Sequence, residues 1–256
     1  MLQAHSLLWH YLWVGPNVFL LGLAILSCRR KLYRQFPVFL IFAFVVAGEQ
    51  FIVYAADVIP SVSAATFWRV FWAGLLVEAL AKFALIAEIF GTVFGQYDSI
   101  AELGKRVIRG LGVVLVVVAT VMAAYAPIDN LRYSFISHAH ILDQTIYMVE
   151  CGLLVFIFVF AGYFRLRWKH IPLGIALGLS VSACVHLGTW AVMANGGLLD
   201  KRYLLDFLNM ATYHACVLIW CYFLLVPKKI ATTSAVSLPE NNLDIWNREL
   251  ERLLQQ

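Results

Sequence analysis

Seven apolar runs, each of roughly 19 to 27 residues, divide this sequence, and each is long enough to cross a ~30 Å hydrocarbon core as a helix. They are Leu7 to Cys28, Phe36 to Ile59, Val70 to Phe94, Gly110 to Ile128, Asp143 to Phe164, Ile171 to Gly197 and Leu204 to Pro227. In lipid no water pairs with the backbone, so a spanning run of this kind satisfies its own N–H and C=O groups as a helix. The expected architecture is an all-α, polytopic seven-transmembrane-helix bundle over residues 1–229, with a linker and an amphipathic helix over 230–256. A composition of 62% hydrophobic and 13% charged residues leaves no room for a soluble catalytic or DNA-binding domain.

Orientation follows from the basic residues. Twelve Lys and Arg cluster after the first, third, fifth and seventh runs, against four (Arg69, Arg132, Lys201 and Arg202) in the opposite loops. Cytoplasmic loops carry that excess, so the N-terminus is expected outside and the C-terminus in the cytoplasm. The net charge of +4 is spent on these loops, and no nucleic acid is expected as a partner. The leader MLQAHS has no Lys or Arg, whereas Arg29, Arg30, Lys31 and Arg34 follow the first run. That is the reverse of a signal peptide's polarity, so the run is read as a retained helix. The expected partner is the lipid bilayer and the expected location the cell membrane, in a bacterium the inner membrane. Five cysteines fall within or at the ends of apolar runs, without CxxC spacing, and read as packing residues.

The polar residues inside the runs carry the functional information. A charge at the centre of a bilayer costs ~2.5 to 3.5 kcal/mol on insertion scales, so Glu78, Lys82 and Glu88 in the third run call for a protein interior or a cavity. At ~100° per residue Glu78 and Lys82 share a face one turn apart and can neutralise each other. The same period groups His10, Trp13 and Asn17; Gln50, Tyr54 and Asp57 with Glu49 beside them; Asp143, Tyr147 and Glu150; Ser182, His186 and Thr189 with Trp190; and Asp206, Asn209 and Tyr213 with His214 adjacent. Given the topology, these stripes lie between the membrane centre and its outer end, with Glu88 the exception. The inner segments FIFVFAGYF and IWCYFLLV are almost wholly apolar or aromatic. The expected site is therefore an outward-facing polar pocket. Its ligand-binding or proton-responsive candidates are Glu49, Tyr54, Glu78, Lys82, Tyr147, Glu150, His186, Trp190, Asn209, Tyr213 and His214.

A purely structural reading stands beside this one. Glu78 and Lys82 would be a self-satisfied pair holding the third helix, and Glu49 and Glu150 protonated carboxyls bonded between helices. Three acids facing one lysine favour a cationic ligand or a proton instead. His186 and His214 could together hold a haem, but no HxxxH, HExxH or His–Cys cluster supports one, so no cofactor is expected. His138 and His140, read as loop residues near His5 and His10, form a weak surface metal candidate. Trp9, Trp13, Trp68, Trp72 and Trp190 suit an interfacial aromatic belt.

The layout is similar to that of microbial rhodopsins and of eukaryotic G-protein-coupled receptors. The last run nevertheless has no lysine for a retinal Schiff base, and the third ends IFGTVFGQYD, without the receptors' DRY. The function expected is a receptor-like or sensor-like, non-enzymatic protein that signals to a cytoplasmic partner. A small proton-coupled permease is the alternative, and a membrane enzyme the third reading. In the tail, Ser237 and Glu240 make a capping-box pattern, and Leu243, Trp246, Leu250 and Leu253 recur on one helical face. That stripe is the candidate surface for a cytoplasmic protein or for a second copy of the chain.

Overall fold

The computed structural model describes residues 6–95, 97–124, 131–163, 166, 168–194, 202–226 and 251–252. Among them the chain forms seven α-helices and no strand: α1 (Leu7–Arg29), α2 (Pro37–Val58), α3 (Ala64–Val93), α4 (Asp98–Ala124), α5 (Leu131–Tyr163), α6 (His170–Ala194) and α7 (Arg202–Leu225). Six of these described helices, all but α4, are long and apolar enough to cross a membrane. Their outward faces carry large apolar side chains, such as Ile41, Ile52 and Val159, each at least 60% exposed. A belt of this kind needs a hydrocarbon medium around it, which marks a multi-pass membrane protein.

Local chemistry sets the helix ends. The Ser6 hydroxyl accepts from the Trp9 amide at the start of α1, and the Ser63 hydroxyl accepts from the Thr66 amide at the start of α3. Between α1 and α2 the chain reverses through Lys31, whose φ of 58° is left-handed, and a single 3-10 turn over Leu32–Arg34. Pro37 opens α2 where its missing N–H costs nothing. The next two amides, of Val38 and Phe39, each donate at 3.0 Å to one carboxylate oxygen of Glu88 on α3. This accounts for the acid that stood apart from the other polar residues in depth. Glu88 is the N-terminal cap of a neighbouring helix, and its negative charge also complements the positive end of that helix. Glu88→Ala is expected to cost about 1–2 kcal/mol, the upper part of the range for a lost cap. Thermal unfolding in detergent, with faster amide exchange at Val38 and Phe39, is the measurement that checks it.

Consecutive helices pack side by side and α7 returns to α1, while α3 also packs on α5 and α6. Cross-helix pairs such as Trp13 with Gln50, Thr189 with Asn209 and Asn17 with Tyr213 give an up-and-down order. The helix α4 packs on α3 and α5 and presents Val113, Val114, Val117 and Val121 outward. Where α6 meets α7 the approach is close, because a Cβ on Gly174 or Gly178 would collide with Phe223 or Trp220. There the Trp220 indole is buried, donates to the Ile175 carbonyl at 3.2 Å, and meets Phe39 and Phe42 edge-on at 5.9 and 5.7 Å.

Two sequence expectations need correction. The fourth and fifth helices begin about a dozen residues earlier than the apolar runs at Gly110 and Asp143, because a hydrogen-bonded ladder continues past the point where polar side chains become tolerable. His138 and His140 are accordingly helical rather than in a loop. The Cys151 and Cys184 thiols of α5 and α6 lie 3.9 Å apart as free thiols. The tail stripe of Leu243, Trp246, Leu250 and Leu253 lies outside the described residues.

Candidate functional site

The six apolar helices other than α4 enclose a cavity of about 320 Å³ in the half of the bundle that contains the start of α1. Each helix contributes one face. From α1 come Trp9, Leu12, Trp13 and Asn17; from α2, Phe42, Val46, Glu49 and Gln50; from α3, Phe71, Leu75, Glu78 and Lys82. The helices α5 and α6 add Asp143, Tyr147, Ser182 and His186, and α7 adds Asp206, Asn209, Tyr213, Cys216 and Trp220. Trp9, Phe71 and Asp206, near the starts of their helices, mark the upper rim. Phe42, Leu179 and Trp220 form the floor.

Lys82 is the hub. Its ammonium lies 3.0 Å from Glu78 one turn earlier and 3.5 Å from Glu150 on α5, and it sits 4.3 Å from the centre of the Tyr147 ring. Glu150 is fully buried and does not reach the cavity wall, so the pair read along α3 is in fact a triad across two helices. Tyr147 in turn stacks on His186, with ring centroids 4.1 Å apart and planes 17° apart. His186 Nδ1 lies 3.2 Å from the Ser182 carbonyl, which can only accept. In the neutral ring Nδ1 therefore carries the proton and Nε2 keeps its lone pair.

Polar chains tie the upper wall together. Trp13 Nε1 donates to Gln50 at 3.2 Å, and Gln50 donates to Glu49 at 2.9 Å. Tyr213 donates to Asn17 at 3.0 Å, and Asn17 donates to the Trp13 carbonyl at 2.7 Å. Pro16 lacks the N–H that would reach the Leu12 carbonyl, so the α1 ladder is missing one rung next to this network. Glu49 has its place because Gly74 faces it; a Cβ there would collide with its carboxylate. The Thr189 hydroxyl shares one proton between the His186 carbonyl and Asn209 Oδ1, at 2.8 and 3.1 Å.

Of the candidates named from sequence, Glu49, Glu78, Lys82, Tyr147, His186, Asn209 and Tyr213 line this one cavity. Glu150 stands behind Lys82, and Trp190 hydrogen-bonds Asp143 at the wall. Tyr54 lies outside the lining, with its hydroxyl 3.0 Å from His10 Nδ1. His214 faces away from the cavity, between the half-exposed rings of Tyr11 and Phe19, with centroids 5.7 and 5.6 Å away. His186 and His214 therefore do not converge on one space. Among the described residues no group of three His, Cys, Asp or Glu side chains could hold a metal ion. Sequence reading placed Trp13 both on the polar face of the first helix and, with Trp9, in an interfacial belt; both line the cavity, as do Phe42, Met210, Cys216 and Trp220, which it overlooked. The spacing Asp206, Asn209, Tyr213, Cys216, Trp220 holds one helical face throughout and was the available signal.

Compared with protein families, curated proteins and solved structures, the chain matches none of them.

Proposed function

We propose that this protein is a seven-span receptor or sensor of the cell membrane, with its N-terminus outside, that takes a small ligand into the α1–α3/α5–α7 cavity. In this reading α4 is the seventh span and lies on the lipid-facing rim. The observation that carries it is the shape of the site: a polar wall built by six helices stands above a floor of Phe42, Leu179 and Trp220. A floor of this kind suits binding from one side better than passage, which places a permease second. The cytoplasmic output is the tail, whose stripe at Leu243, Trp246, Leu250 and Leu253 is offered to a partner protein or a second copy.

Two measurements test the proposal. A C-terminal alkaline phosphatase fusion is expected to be silent and a C-terminal cytoplasmic fluorescent fusion bright; the opposite pattern reverses the topology. Asn209→Cys, in a chain freed of its five native cysteines, is expected to react with a membrane-impermeant thiol reagent added to intact cells. Protection of that thiol in a folded protein removes the outward cavity.

A further inference from the structure

We infer that the ligand of this cavity is a small organic ammonium cation, seated between Glu49 and Asp143; the inference rests on the ligand-binding reading above. The first ground is charge. Lys82 is the only Lys or Arg among the lining residues, and Glu78 and Glu150 already hold it. Glu49 is left with the neutral Gln50 as its hydrogen-bond donor, and Asp143 with the neutral Trp190. Among the described residues no ion pair reaches either carboxylate. Charge buried in this way needs a partner to be held at low cost.

The second ground is independent of the acids. Tyr147 lines the cavity while only 7% exposed, and among the described residues no hydrogen bond reaches its hydroxyl. His186 adds an imidazole lone pair beside it. Both oxygen and nitrogen can accept an ammonium N–H. The third ground is the aromatic wall. Trp9 and Trp13 meet edge to face at 5.6 Å on the same cavity, and ring faces attract an organic cation. A hard metal ion would gain little from such walls and wants six or more oxygen ligands. A volume of about 320 Å³ suits a molecule with one ring or a short chain.

The experiment uses the full chain in nanodiscs and three probes of one shape: benzylammonium, neutral benzyl alcohol and anionic benzoate. Binding is read by quenching of tryptophan fluorescence and by the shift of the thermal midpoint. Benzylammonium is expected to saturate, benzyl alcohol to bind at least tenfold more weakly, and benzoate not to bind. Glu49→Gln and Asp143→Asn are each expected to weaken benzylammonium at least tenfold and leave benzyl alcohol unchanged, while Glu102→Gln, on the exposed part of α4, changes neither. The charge comparison on the parent protein stands even where one of the variants fails to fold. Equal binding of benzylammonium and benzyl alcohol, preference for benzoate, or no saturable binding each overturns the cation assignment. If the thiol at Asn209→Cys still reacts from outside, only the cation assignment falls; if it is protected, the cavity reading falls with it.

Discussion

Lys82→Met is expected to cost about 3–5 kcal/mol, because it strands two carboxylates in the bundle interior without their only cation. Glu78 lies 3.0 Å from the ammonium and Glu150 3.5 Å, and the Glu150 side chain has no solvent exposure to fall back on. The decisive comparison is among combinations. Lys82→Met with Glu78→Gln still leaves Glu150 uncompensated, and is expected to recover little. The triple variant with Glu150→Gln removes every member of the triad as a charge and is expected to recover most of the loss. Thermal unfolding of these three variants, of Glu150→Gln and of the Lys82→Met/Glu150→Gln double in one detergent gives the coupling energies. Simple additivity of Lys82→Met and Glu150→Gln would mean that the two groups do not interact, and the triad would have to be abandoned.

Trp220→Ala should be of similar size, about 3–5 kcal/mol, the usual cost of emptying a large buried aromatic site. The indole is 2% exposed, bonds the Ile175 carbonyl, and occupies space kept open by Gly178. Trp220→Phe keeps an aromatic ring against Phe39 and Phe42 but loses the N–H and part of the indole's volume, so it should be milder than the alanine variant. The difference between the two variants measures what the retained ring contributes. If the alanine variant melts with the parent, the floor is not held by this residue.

The helical class and the approximate position of each helix could be read from hydropathy, since bilayer thickness and backbone satisfaction leave a run such as Phe36 to Ile59 little choice. Hydropathy reports where lipid ends rather than where hydrogen bonding ends. The polar first half of α4 illustrates this: Glu102 and Arg106 pair one turn apart on a helix that the apolar run did not include. The faces were legible too, because a period of 3.6 puts Asn209 and Tyr213 on one side whatever they meet. The cross-helix partners were not. Nothing along the chain says that Glu88 reaches two amides fifty residues away, or that Lys82 is divided between α3 and α5. Tryptophans near a helix start suit an interface and a cavity rim equally well by composition, so Trp9, off the polar stripe that carries Trp13, could be assigned only once its neighbours were known.

The cap at Glu88 has a mechanical consequence. A helix is stiff along its axis, so the stretch of α3 from Lys82 to Glu88 acts as a strut of about 9 Å. One end of that strut holds the charge hub of the cavity, and the other grips the first turn of α2 through two hydrogen bonds. On the same far side, Arg30 at the end of α1 donates to the Leu225 carbonyl at the end of α7 at 2.9 Å. The charge hub and the first turn of α2 are therefore held at a fixed spacing along α3, as two fittings on one rod.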